Sequence, residues 1–111
     1  MPTVRTITRF TEQEIKSLFA HARRTYKSSE MDILIAPACH SYGRILVVTP
    51  ARIGNAPQRN KFRRQIKALF YEEKLFSLGY ECVVIAKLKA TTLNFDELKK
   101  VLFKALNYRA S

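Results

Sequence analysis

The sequence predicts a single α+β domain, an α-β sandwich in the order helix, strand, strand, helix, strand, helix. Three observations carry this reading. At 111 residues the chain is long enough for one core and too short for two. Three short β-favouring runs, each bounded by turn or breaker residues, are interleaved with three segments whose apolar residues recur at helical spacing. A composition of 47% hydrophobic residues, with 3 Gly and 4 Pro, excludes a disordered, collagenous or linker chain.

The elements follow in chain order. Residues 1–10 are polar and basic, show no periodicity, and read as a flexible basic arm ahead of one domain over 11–108 and a tail at 109–111. Thr11-Glu12-Gln13-Glu14 reads as a capping box, with Phe10 and Ile15 placed as its hydrophobic staple. It opens a helix expected over 12–26, on which Ile15, Leu18, Phe19, Ala22 and Tyr26 share a stripe. Met31 to Ala36, stopped by Pro37, and Arg44 to Thr49, stopped by Pro50, predict two adjacent antiparallel strands. Both runs are apolar on successive residues, so each face of their sheet needs at least partial cover.

Gly54-Asn55 is a turn signal, and Pro57 suits the first turn of a second helix, where a missing N–H costs nothing. Phe62, Ile66, Leu69, Phe70 and Phe76 fall on one side of that helix, with Asn60, Arg63, Arg64, Lys67 and Lys74 on a neighbouring side. Gly79 is its expected stop, and Glu81 to Lys87 is the third strand, completing a β-α-β crossover. Asn94 and Glu97 form a further capping box, and the last helix buries Leu98, Val101, Leu102, Ala105 and Leu106.

Charge points to a partner. Twenty Lys and Arg against nine Asp and Glu give a net +11, far beyond what solubility needs, so a polyanion is expected, with nucleic acid ahead of an anionic membrane. The field is concentrated, because no acidic residue falls between Ile33 and Tyr71 while Arg44, Arg52, Arg59, Lys61, Arg63, Arg64 and Lys67 all do. No apolar run approaches the roughly 20 residues that span a bilayer, and the N-terminus lacks an apolar signal segment, so a cytoplasmic protein is expected. Cys39 and Cys82 are read as free thiols.

Self-sufficient catalysis finds no constellation. A nuclease would need clustered carboxylates for metal ions or a histidine pair for acid-base work. Asp96-Glu97 reads as helix-cap chemistry, His21 and His40 are isolated, and Cys39 and His40, as neighbours, point apart. No catalytic residue and no protein-held metal site are therefore assigned.

Residues Arg52 to Lys67 join a turn to a helix N-terminus rich in cations, an arrangement that suits phosphate through unpaired N–H groups, the helix dipole and forked Arg donors. The same segment resembles the signature of the bacterial ribonuclease P protein component family, in which Gly-Asn-Ala precedes an Arg-Asn-Arg motif; here these stand as Gly54-Asn55-Ala56 and Arg59-Asn60-Lys61. The resemblance extends over roughly residues 9–106 and includes Ile15 to Phe19 of the first helix.

It implies a noncatalytic subunit that joins a catalytic RNA to remove the 5′ leader of precursor tRNA, with magnesium held mainly by the RNA and the substrate. It implies RNA contacts at Arg52, Asn55, Arg59, Asn60, Lys61, Arg63, Arg64 and Lys67, and a leader cleft lined by Ile15 and Phe19. It also implies a left-handed crossover, against the usual rule. The alternative is a noncatalytic RNA-binding module such as a ribosome-associated protein. DNA is not an expected partner, since neither a dimerisation stripe nor helix-turn-helix spacing accompanies the basic helix.

Overall fold

The computed structural model describes residues 2–107, which form helices α1 (Val4–Ile7), α2 (Glu12–His21), α3 (Ala56–Glu72) and α4 (Phe95–Ala105) and strands β1 (Arg23–Lys27), β2 (Met31–Pro37), β3 (Ile45–Val48) and β4 (Tyr80–Ala86). The tail expected at 109–111 lies outside the described residues. The strands make one sheet in the order β1-β2-β4-β3. β4 runs antiparallel to β2, with Val84 opposite Ile33, and parallel to β3, with Val84 opposite Val47.

That order corrects the expectation that β2 and β3 are neighbours. β4 lies between them because its Cys82, Val83 and Val84 are fully buried, a burden that only a central strand covered on both faces can carry. The chain leaves β2 and returns through Gly43, whose Cβ, if present, would sit 1.9 Å from the carbonyl oxygen of Tyr80. Glycine is required there by close approach to the start of β4.

Three further boundaries differ from the sequence reading. The first helix ends at His21, not 26, because Ala22 turns to extended backbone (φ −74°, ψ 145°) and Arg23–Lys27 pair with β2 as an edge strand. Tyr26 reaches the core from that strand, so its helical spacing to Ala22 is coincidental. α3 stops at Glu72, and Lys74 in the left-handed region (φ 54°) leads into a 3-10 turn at Leu75–Leu78 that carries Phe76 and ends on Gly79 (φ 85°). The supposed flexible arm contains α1, capped by Thr3, with Ile7 completely buried in the main core. One buried side chain leaves no periodicity to read.

One face of the sheet, with Met31, Ile33, Ile35, Ile45, Cys82 and Val84, packs under α3 and α4 through Phe62, Ile66, Leu69, Phe70, Leu98 and Leu102. The other face is covered only in part. Leu18 of α2 seats on Ala36 and Val83, while Leu34, Leu46, Val48 and Ile85 around them stay partly exposed.

Candidate nucleic-acid interface

The cationic segment is built on a capped helix. Asn55 Oδ1 accepts the Gln58 backbone N–H at 2.9 Å, and Gln58 Oε1 accepts the Asn55 N–H at 2.9 Å. Gly54 precedes them at φ 156°, ψ −177°, a conformation reserved for glycine, and a Cβ there would stand 2.5 Å from Gln58 Oε1. Gly54-Asn55, a turn signal in the sequence, is the start of a cap: Asn55 is the N-cap of α3, in the Asn-x-x-Gln spacing of a capping box.

Two of the arginines are folded back onto the loop ahead of the helix. The Arg59 guanidinium donates to the carbonyls of Ala51 at 3.1 Å and Gly54 at 3.4 Å. Arg63 donates to Thr49 Oγ1 at the end of β3 and to Asn60 Oδ1. Lys61 and Arg64 are exposed, Lys67 half-buried, and Arg52 exposed on the 3-10 turn Ala51–Ile53. No acidic residue lies in the first turn of α3. A groove of about 340 Å³ runs between α1 and α3, lined by Val4, Asn60, Arg63, Arg64, Lys67 and Ala68. The structure therefore brings Asn60, Arg63, Arg64 and Lys67 to one groove, with Arg59 and Arg63 pre-ordered and Arg64 presented to solvent, while Lys61 is exposed on another flank of α3 beside Gln58, Gln65 and Thr91.

Arg44 belongs to the same acid-free stretch of sequence but not to this surface. It is 3% exposed, and its Nε donates to Glu81 Oε2 at 2.5 Å. One terminal nitrogen donates to Glu14 Oε2 at 2.8 Å and to the Arg9 carbonyl at 3.0 Å, and the guanidinium lies 4.3 Å over the Phe10 ring. Burial works against the charge, but Glu81 and then Glu14 outweigh it and raise the Arg44 pKa. The Thr11 backbone N–H, followed by Arg44, lowers that of Glu14 to about 2. Nothing in the spacing of Glu14, Arg44 and Glu81 reveals their meeting.

α2 divides the opposite face of the molecule. Around its axis, Ile15 and Phe19 lie about 60° and 100° to one side of Leu18. Glu14, Ser17 and His21 lie on the other side and, with Pro37, Ala38 and Cys39, line a cavity of about 370 Å³. Ile15 is half-buried and Phe19 43% exposed, on the flank away from that cavity, and the side of the sheet under α2 carries the partly open Leu34, Leu46, Val48 and Ile85. Arg24 and Lys87 border that face, each paired with Asp32, at 3.9 Å and 2.8 Å. The doubly apolar runs of β2 and β3 signal this second face, but not which of their residues stay open on it.

The remaining candidates for chemistry are engaged or scattered. His21 Nδ1 lies 2.9 Å from the Ser17 carbonyl, and His40 stacks on Tyr42 at 5.6 Å. Cys39 is exposed and Cys82 buried, both as free thiols, and burial pushes the Cys82 thiol up to about 12. Among the described residues, no three His, Cys, Asp or Glu side chains gather as a metal site.

Comparison with known proteins agrees with this picture. The sequence model of the family Ribonuclease P matches residues 6–109. A ribonuclease P protein component from Listeria innocua is 36% identical over 67 residues, an overlap covering 60% of this chain and 56% of that protein. One from Photobacterium profundum is 34% identical over 95 residues, covering 85% of this chain and 80% of that protein. Among solved structures, the RNase P protein of Staphylococcus aureus superposes with a TM-score of 0.77 at 18% identity, covering 91% of this chain and 93% of the other. That of Thermotoga maritima gives 0.75 at 19% identity, covering 94% and 98%. At such identities the structural likeness speaks for the fold.

Proposed function

The chain belongs to the ribonuclease P protein family, and from that premise we propose that it is the protein subunit of a ribonucleoprotein that removes the 5′ leader from precursor tRNA. The catalytic RNA performs the cleavage, and the protein alone is inactive. Magnesium is held mainly by the RNA and the substrate; the charged side chains over Arg59–Lys67 of α3 are all cations, which suit phosphate rather than a metal ion. No described helix is long and apolar enough to cross a membrane; the cytoplasm is the compartment that this role implies.

The observation that carries this reading is the set of Arg59, Asn60, Lys61, Arg63, Arg64 and Lys67 along the first three turns of the capped helix α3, four of them on one groove. Phosphates of the catalytic RNA meet the helix dipole and the exposed cations there, while Arg59 and Arg63, already ordered by the loop, lose little freedom on binding. Arg52 and Asn55 extend the same surface. Across the molecule, the unpaired leader lies between α2 and the open sheet face, where Ile15 and Phe19 offer an apolar wall and an exposed ring on which bases stack without sequence preference.

Cleavage of precursor tRNA by a bacterial ribonuclease P RNA at low magnesium, followed with and without the protein, is the test. Strong stimulation in the mixture and no cleavage by RNA-free protein are expected. Specific 5′ processing by the protein alone, abolished by replacing a carboxylate or histidine, would overturn the assignment.

A further inference from the structure

α2 is held on the sheet by little apolar burial, since Leu18 is its one buried residue. Beyond Leu18, only the flanking Phe10 and Ala22 pack there in part, and the polar attachment converges on Arg44, which immediately precedes β3. Arg44 grips the segment entering α2 at the Arg9 carbonyl, the Phe10 ring and the Glu14 carboxylate, and is itself anchored on Glu81 of β4. Glu14 does two things at once: its Oε2 accepts from Arg44, while its Oε1 accepts the Thr11 N–H at 2.8 Å and so caps α2. One carboxylate thus joins the start of the helix to the sheet.

We propose that Arg44 is a positioning residue for leader binding: it touches no RNA and, through Glu14 and Glu81, fixes how far the Ile15 and Phe19 flank of α2 stands from the sheet face of Leu34, Leu46, Val48 and Ile85. The proposal rests on the reading of that cleft as the leader site. A guanidinium suits the task because its planar fork holds two carboxylates and a carbonyl in fixed directions, which a lysine ammonium on a flexible stem cannot do. With a single buried side chain beneath it, α2 has little else to resist tilting or sliding when the fork is lost.

Removing Arg44 alone would strand Glu81 in the interior, so the deciding variant is Arg44→Met with Glu81→Met, in which apolar side chains of similar length replace the buried pair and preserve the fold. In the holoenzyme assembled with catalytic RNA, the affinity ratio of precursor to mature tRNA should fall roughly fivefold or more, the scale of losing one stacked base. The affinity of the protein for the catalytic RNA, and its salt dependence, should remain those of the unaltered protein. Phe19→Ala should lower the same ratio, and combining it with the pair should add little, because both act on one cleft. Purely structural damage would instead weaken every binding step together.

A parallel fall in catalytic-RNA affinity with a flatter salt slope would make Arg44 a phosphate contact and overturn the proposal. A ratio lowered by Phe19→Ala but untouched by the Met pair would overturn the clamp alone. A ratio moved by neither would overturn the leader reading and the clamp with it.

Discussion

Arg44 and Arg64 occupy one acid-free stretch of sequence, yet Arg44 lies 3% exposed between two carboxylates while Arg64 stands exposed on α3. The partners of Arg44 come from far along the chain: Glu14, on α2, and Glu81, on β4. A run of cations in sequence is therefore not yet a cationic surface. The fold withdraws one of them into the interior as a structural link and keeps the others at the surface, around the helix start ordered by Gly54 and the Asn55 cap.

The first way to break this comparison is also the largest effect. If Arg44 is structural, Arg44→Ala leaves Glu81, 2% exposed, without its counter-charge, and unfolding in denaturant should show a loss of about 3–5 kcal/mol. A loss below about 1 kcal/mol would mean that the pair contributes no more than a surface ion pair does.

Leu18 and Phe19 repeat the contrast within one helix. Leu18 is 3% exposed and Phe19 43% exposed, so Leu18→Ala should cost about 2–5 kcal/mol of stability. Phe19→Ala should leave the thermal midpoint close to unchanged and weaken precursor tRNA relative to mature tRNA by about 1–3 kcal/mol. Destabilisation by Phe19→Ala as large as that by Leu18→Ala would make the ring a core residue after all.

For the cations of α3 the measurement is the salt dependence of binding to the catalytic RNA. Arg64→Ala and Lys67→Ala should each flatten the log–log slope by about 0.7–0.9, the share of one phosphate, whereas Asn60→Ala should weaken binding with the slope retained. Slopes unchanged by both cationic substitutions would remove α3 from the RNA-binding face.

How much of this was legible in the sequence follows from where the signals lie. The cap boxes at Thr11 and Asn94, the apolar stripe of Phe62, Ile66, Leu69 and Phe70, and the apolar runs of β2, β3 and β4 are local patterns, and the structure carries all of them. β1 was missed because Arg23–Lys27 is an edge strand with Tyr26 as its inward anchor, and cations along an edge are how sheets avoid further pairing. The placement of β4 between β2 and β3, the burial of Ile7 and the Glu14–Arg44–Glu81 link depend on long-range packing that no local period encodes. That Arg59 to Lys67 lie on a helix was legible because Pro57 and the apolar stripe beneath them are local signals. The sheet residues of the second face were visible only as an unmet need for cover.

The smallest expected effect concerns the acid side of the same link. The Thr11 backbone N–H, then Arg44, holds the Glu14 pKa near 2, down from its ordinary value of 4.5. A carboxylate depressed on folding stabilises the fold fully above its unfolded pKa, and that contribution fades as pH falls from about 4.5 through about 2. Glu14→Gln keeps one oxygen, which can accept from the Thr11 N–H or from Arg44 but not from both, much as the protonated carboxyl would, and it has no proton to take up. Its stability should sit slightly below that of the unaltered protein at neutral pH, and the gap should close as pH falls across that window. Thermal unfolding of the two proteins from pH 7 to pH 2 reads this directly, and a gap that stays constant throughout would show that the charge on Glu14 adds nothing to its hydrogen bonds.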